Sequence, residues 1–466
     1  MNQGKKRLRI GLLPPVADLY VRAWPQICDS LRDFSAQVAE KLREEALDVS
    51  LASIVSTEKE VTDACKKLVS ENVDLLVVAM APYCPSGVLA PVLSSVGLPI
   101  VLWPVQTMYE LDTAKYDRQT VPLNHGVHAV QDLANVLTKR GVNFGVCHGH
   151  LAQTDFLEEL KIWAKAGRAI NAMRNANPLQ IGGHFSDMLD LQVGEDPFMT
   201  KLGIKPVCTT NDDFAALLTE VDSSEISRIK DSYESEFDID PDVDDTLLTR
   251  TAAGEAAVRQ LMARNHSKAC GLNFLELCND KRIADALHVV ASRLMNEGLG
   301  YAGEGDWVTA ILVHAMQHAF GKASFTEMFS VGYADNRIVL RHWGEGNYAM
   351  ARSKPRMSRS DIKDKGLAEF AIADFEFEPG PAALVNLNST TDGNGKLITL
   401  DGVITPDHLP SSTGPRAVWK PQRQVRQLLT EYAYAGGSHH LALVAQDVSP
   451  VLNKISRLTG WSCIKL

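Results

Sequence analysis

The sequence predicts an α/β protein in three parts: an N-terminal doubly wound parallel sheet, a second α/β domain and a mainly β, barrel-like C-terminal domain. Three observations predict it. The first third alternates apolar, β-branched runs with helical patterns, and the middle keeps a mixed texture. After Phe320, short strand-like runs separated by Gly, Asn and Pro turns take over. Strand and helix in strict alternation build parallel sheets, and short strands joined by turns build barrels or sandwiches.

In the first third, Leu8–Leu13, Val49–Val55, Leu75–Val78, Ile100–Val105 and Phe144–Val146 read as strands. Trp24–Leu47, Thr57–Ser70, Val88–Val96 and Gly126–Arg140 carry helical patterns between them. Sheets of this kind bind ligands outside the carboxyl ends of their strands. The loops there are Pro14–Tyr20, Met80–Gly87 and Pro104–His128. No GxGxxG or GxxxxGK[ST] follows any of these strands, so nucleotide binding lacks support.

A chain of 466 residues exceeds one ordinary core. Boundaries are expected to give domains over residues 1–165, 166–322 and 323–466. Within the second, the acidic, serine-rich stretch Glu220–Asp245 reads as a solvated helix and loop, with a flap as the alternative. In the third, Arg337–His342, Ala368–Phe377, Ala383–Asn388 and Lys396–Ile404 read as strands. EPGPAA and TTDGNGK are hairpin-like connections. A helix over Gln422–Ala435 leads into Gly-Gly-Ser-His-His.

Composition narrows the partners. Hydrophobic residues make up 45% and charged residues 22%, the mix of a folded globular chain. The net charge of -10 gives no general attraction for nucleic acid or anionic lipid. The apolar run Ile10–Leu13 stops at Pro14 and Pro15, too short for a signal core. No stretch approaches the ~20 apolar residues of a membrane span. Cys28, Cys65, Cys84, Cys147, Cys208, Cys270, Cys278 and Cys463 are scattered and form no CxxC pair. Dispersed thiols of this kind fit a reducing cytoplasm.

Four short segments in the second half can carry chemistry: GEGDW at Gly303–Trp307, SFTEMF at Ser324–Phe329, LRHWGE at Leu340–Glu345 and GGSHH at Gly436–His440. Each sets a carboxylate or an imidazole beside glycine, serine or an aromatic ring. Glycine lets backbone approach a ligand closely. Mixed carboxylate and imidazole ligation suits Mn²⁺, with Co²⁺, Mg²⁺, Zn²⁺ or Fe²⁺ as alternatives. Taken singly, each segment also has a plain structural reading as a turn or a hydrogen-bonded core histidine.

Taken together they resemble the L-arabinose isomerase family. YAGEGDWVTA at Tyr301–Ala310 is similar to that family's AGEGDWKTA, and SFTE to its SFME. HWGE resembles its His-Met-Leu-Glu, AVWKPQ at Ala417–Gln422 its ALWKPQ, and GGSHH its Gly-Gly-(Ala/Thr)-His-His. The order and approximate separations also match. The resemblance implies a divalent cation, Mn²⁺ first, held by Glu304, Glu327, His342 and His440, with His439 beside the sugar. Fucose isomerases, a related group, use a Glu/Asp/His set, so the second glutamate favours the arabinose branch. LNHGVH at Leu123–His128 resembles the family's Leu-Asn-Gln-Ser-Ala-His, which nominates His128 and, in place of glutamine, His125. Asp18–Tyr20 nominates Tyr20, Phe185–Met188 nominates Met188, and Asn273–Phe274 nominates Phe274 as sugar contacts. Met188 and Phe274 read equally well as core packing.

The reaction so implied interconverts an aldose and a ketose through a cis-enediol. Glu304 and Glu327 are the expected catalytic pair, and Glu345 or Asp306 an orienting partner for a ligand histidine. A hydride shift is the competing route. The resemblance further implies a homo-oligomer, a trimer or hexamer with shared sites, in which Tyr20, His125 and His128 come from a neighbour. Departures fall on the sugar side: Trp343 for methionine, Gly344 for leucine, His125 for glutamine. Ligands kept while these walls change suggest the same reaction class on a different sugar, so another pentose, a hexose or a deoxy sugar stands beside L-arabinose. The alternatives are a sugar-binding or regulatory homologue without turnover, and another metal-dependent sugar enzyme such as an epimerase.

Overall fold

A run such as Leu75–Ala79, buried at every position, fits only a central strand covered on both faces. It is one of five strands in the first sheet: β1 (Leu8–Leu13), β2 (Leu47–Leu51), β3 (Leu75–Ala79), β4 (Ile100–Trp103) and β5 (Gly145–Val146). All pair in parallel, in the order β2-β1-β3-β4-β5. The order reverses between β1 and β3, so the loops leaving those strands open a crevice. The helix Ile27–Glu44 buries Ile27, Leu31, Phe34, Val38 and Leu42, a stripe at helical spacing. The helix Glu58–Ser70 starts from a capping box made by Thr57 and Glu60. Strand β2 ends at Leu51, short of the predicted Val55, which makes only an isolated bridge to Pro15.

The computed structural model describes residues 7–118, 120–192, 203–283, 287–360, 369–390, 392–410 and 414–466. Ala368, the first residue of one predicted strand, lies outside them. The chain divides into two compact units, residues 1–171 with 450–460, and residues 172–449 with 461–466.

The second unit starts with β6 (Leu179–Ile181), β7 (Val207–Thr209), β8 (Asp238–Ile239), β9 (Ala269–Leu272) and β10 (Gly300–Gly303). Four of these form a parallel sheet in the order β10-β9-β6-β7. There follow β11 (Ser324–Gly332), β12 (Arg337–Arg341), β13 (Arg356–Arg359), β14 (Ala371–Asp374), β15 (Gly380–Ser389), β16 (Gly395–Ile404), β17 (Arg416–Pro421), β18 (His440–Val444) and β19 (Ser462–Lys465). Strands β15-β18-β11-β12-β17-β16 run in that order and close through β15–β16 into an antiparallel barrel. Strand β19 joins β16 in parallel, and β8, β13 and β14 form a small separate sheet. Ile338, Leu340, Leu384, Leu400, Trp419, Leu441 and Leu443 are buried in one core cluster. The helix Trp307–Phe320 is apolar nearly all round because it packs against β9 and β10 on the sheet side and β15 and β18 on the barrel side.

Two elements add to the sequence reading. The acidic stretch Glu220–Asp245 is the expected helix and loop, but anchored from within. It contains the helix Ser223–Glu236, whose Ile229 and Tyr233 are buried, and the Tyr233 hydroxyl donates to buried Glu255 at 2.8 Å. High charge on the outer face masks these inner anchors. The second is the helix Ser449–Thr459, in a region read as mainly β. Most of it belongs to the first unit, where the Lys454 ammonium sits 2.5 Å from Glu159 and 4.2 Å above the Trp163 ring.

Candidate metal centre

The Gly-Glu-Gly turn closes β10 and opens the helix Trp307–Phe320. Glu304 holds φ at +62°, left-handed for a non-glycine residue, and Gly305 follows at +78°. Close packing explains the glycines. A Cβ on Gly305 would fall 2.0 Å from the Gly183 carbonyl oxygen. One on Gly303 would press on Glu345 and His342, at 3.1 Å from each. Asp306 caps the helix, accepting the Thr309 N–H at 2.9 Å.

Barrel register supplies the other residues. On β11, Glu327 lies directly opposite His440 of β18 on one side and Arg341 of β12 on the other, one residue before His342. Cross-strand partners stand side by side, so residues 113 positions apart in sequence meet without any loop having to fold back (327 to 440). Gly344 then turns at φ +89°, where a side chain would run into Ile372. The turn is fixed by Ser292, whose hydroxyl donates to the Gly344 carbonyl and accepts the Gly346 N–H, each at 3.2 Å.

Five side chains converge. His440 Nε2 is 3.1 Å from Glu304 and 3.0 Å from Glu327. His439 Nε2 is 3.3 Å from Glu304 and 3.8 Å from Glu327. His342 Nε2 is 3.5 Å from Glu327 and 4.0 Å from Glu304. One donor atom from each of Glu304, Glu327, His439 and His440 lies within 4.8 Å of the others, and His342 borders this group through Glu327. The Phe325 ring separates His342 from His440, edge-on to both at 4.7 Å.

Each imidazole is backed by a carboxylate at Nδ1. His440 donates to Asp306 at 2.9 Å and His439 to Asp190 at 2.6 Å. His342 Nδ1 lies 2.5 Å from Glu345, within hydrogen-bond distance although not aligned as a hydrogen bond. Glu345 also accepts from the buried Tyr301 hydroxyl. Both orienting carboxylates nominated from sequence are therefore in place, and Asp190 adds a third.

Electrostatics follow from this crowding. Burial alone would raise the Glu304 carboxyl, but the His439 and His440 hydrogen bonds and the imidazole charges outweigh it and hold it far below the usual range. Burial alone would lower His440, yet Asp306, Glu304 and Glu327 push it well above its ordinary value. His342 is raised against burial, chiefly by Glu345. Two carboxylates facing one point need positive charge between them. Protonated imidazoles or a divalent cation would each supply it. Two carboxylate oxygens with two or three imidazole nitrogens is a donor set that fits a first-row divalent cation.

The remaining nominated residues scatter more. Trp343 is half-buried against Cys278, Phe370 and Ile372. Phe274 is buried, with its ring 5.2 Å from Phe185 and 5.6 Å from His288. Met188 is half-buried and precedes the short turn Leu189–Leu191 that carries Asp190. In the first unit, Tyr20, His125 and His128 gather beside the crevice between β1 and β3. Tyr20 stacks on His125 at 5.7 Å, and His125 lies 5.1 Å from His128. Tyr83, which the motifs did not flag, donates its backbone N–H to His125 Nε2 at 3.3 Å and stacks on His128 at 4.8 Å. Burial, aided by His128, lowers the His125 pKa.

Comparison with known proteins gives this arrangement its class. Three family models match: the L-arabinose isomerase N-terminal domain over residues 21–175, the central domain over 199–321 and the C-terminal domain over 322–461. Together they define a sugar isomerase, an intramolecular oxidoreductase. The chain belongs to the L-arabinose isomerase family. It is 22% identical to an L-arabinose isomerase of Vibrio parahaemolyticus over 452 residues, covering 94% of this chain and 90% of that one. It is 23% identical to that of Geobacillus kaustophilus over 425 residues, covering 88% and 85%. Among the described residues no helix is long and apolar enough to cross a membrane, and all eight cysteines are free.

Proposed function

We propose that the protein is a divalent-cation-dependent isomerase that interconverts a free aldose and its ketose through a cis-enediol, with L-arabinose and L-ribulose or a closely related pentose or hexose as the pair. The observation that carries this is the meeting of Glu304, Glu327, His342, His439 and His440 from four separate segments of one unit. Glu304, Glu327, His342 and His440 would hold the ion, Mn²⁺ by its donor set. When bound, such a cation polarises the carbonyl and its neighbouring hydroxyl and steadies the negative charge that develops on them.

The chain's own residues do the rest. One glutamate of the pair removes the C2 proton of the aldose while O1 takes up a proton, giving the enediol. The C2 hydroxyl proton then leaves, and C1 is protonated, giving the ketose. The left-handed turn at Glu304 sets its side chain on the side of Glu327, with donor atoms of the two within 4.8 Å. Trp343, Met188, Phe274 and His439 would line the sugar side. The reading includes a homo-oligomer of trimers in which Tyr20, His125 and His128 serve a neighbouring subunit. The departures at His125, Trp343 and Gly344 leave the choice among pentoses and hexoses to experiment.

A panel of pentoses and hexoses, incubated with Mn²⁺ and followed for ketose, tests the proposal. Ketose is expected with at least one sugar, lost on chelation and restored by Mn²⁺. Glu304→Gln and Glu327→Gln should each lower kcat by roughly 10²–10⁴-fold. In heavy water the migrating position should take up deuterium. Sugar binding without turnover would instead identify a binding protein, and turnover without solvent exchange a hydride shift.

A further inference from the structure

The three carboxylate–imidazole pairs at this centre are built differently. The side chains of His440 and Asp306 are 0% and 5% exposed, and those of His342 and Glu345 5% and 1%. The side chains of His439 and Asp190 are 37% and 40% exposed. A ligand of a resident ion gains from being sealed against water, because a dry carboxylate–imidazole pair fixes both tautomer and orientation. A group that must meet an incoming sugar has to stay open.

Asp190 reaches this place on the short turn Leu189–Leu191, and the segment before it is tied to the centre. The Phe185 N–H donates to the Glu304 carbonyl at 3.3 Å, and Met188 N–H to the Phe185 carbonyl at 3.4 Å. One oxygen of Asp190 grips His439 twice, accepting Nδ1–H at 2.6 Å and the backbone N–H at 3.4 Å. With Nδ1 held by Asp190, the ring is fixed so that Nε2 points to the Glu304 side, 3.3 Å from its carboxylate. It thereby faces the place where a sugar hydroxyl would sit next to the reacting carboxylates.

We infer that Asp190 is the positioning residue of His439 and that this open pair serves the sugar, whereas the two sealed pairs serve the cation. The inference rests on the functional reading above and extends it to a residue outside every motif.

The test uses the full chain, with Mn²⁺ binding followed by calorimetry and steady-state kinetics followed on the best sugar. In Asp190→Asn the Mn²⁺ affinity should stay within about threefold of the parent, since no ligand loses its support. KM for the sugar should rise roughly tenfold, the loss of about one hydrogen bond, and Asp190→Glu should recover part of it. In Asp306→Asn, by contrast, Mn²⁺ affinity should fall about 10–100-fold. Thermal melts of each variant identify any that fail to fold. Equal loss of Mn²⁺ affinity in Asp190→Asn and Asp306→Asn would overturn the inference by making His439 a ligand. Unchanged KM in Asp190→Asn would overturn it as well. A parent protein that binds no Mn²⁺ would instead overturn the functional reading, and this shows before any substitution is made.

Discussion

Glu304 occupies a backbone conformation that costs about 1–3 kcal/mol for a residue with a side chain. The neighbouring glycines let the surroundings enforce it. Gly305→Ala removes that permission twice, through its positive φ and through the overlap with the Gly183 carbonyl. It should destabilise the protein by about 2 kcal/mol or more, read as a lowered Tm, and weaken Mn²⁺ binding in parallel. An alanine variant as stable as the parent would show that the turn is not held as described. At this scale the sequence was informative wherever glycine accompanied chemistry, as in Gly303–Trp307 and Gly436–His440. It was silent on Asp190, Tyr83 and Tyr301. A lone aspartate in an irregular turn carries no periodicity, and a tyrosine that supports a carboxylate looks like any core tyrosine.

At the scale of elements, the barrel register is what turns scattered motifs into a site, since Glu327 and His440 are cross-strand partners. The central strands β3 and β4 of the first sheet were legible because they are buried at every position and apolar throughout. Strands β11 and β18 were visible only as motifs, since polar site residues interrupt their apolar pattern. The helix Trp307–Phe320 holds a buried imidazole outside the site. His314 donates its Nδ1–H to the Gly298 carbonyl at 3.0 Å, and burial, with help from His318, lowers its pKa to about 3. The unfolded value is near 6.5, so between about pH 6.5 and 3 the unfolded chain binds the extra proton. Stability therefore falls as pH drops through that window, at about 1.4 kcal/mol per unit, or about 2 kcal/mol by pH 5. Denaturant melts at pH 7 and pH 5 should show a smaller loss in His314→Gln than in the parent. An equal loss would assign the acid sensitivity to other groups.

At the scale of the molecule, the parallel-sheet, α/β and barrel regions follow the order expected from sequence. The exception is the helix near the carboxyl end, since residues 450–460 pack with the first unit. The signal was present: Val451, Leu452, Ile455 and Leu458 are all buried at helical spacing, behind Ser449 and Pro450. A dominant β texture around it hid the pattern. Leu452→Ala should cost about 2–5 kcal/mol and should loosen the first unit before the second. Hydrogen exchange would then rise first at amides of residues 154–174, and protection lost first in the barrel would refute the assignment.

That late helix has a consequence for synthesis. A ribosome adding about 5–20 residues per second must still make residues 172–449 after the first sheet has emerged. For roughly 14–60 s the nascent chain holds the Trp163 ring and Glu159 without the Lys454 that covers the one and pairs with the other. Chaperone dependence should therefore be concentrated on the earliest part of the polypeptide, and a circular permutant that brings the cover forward should escape it.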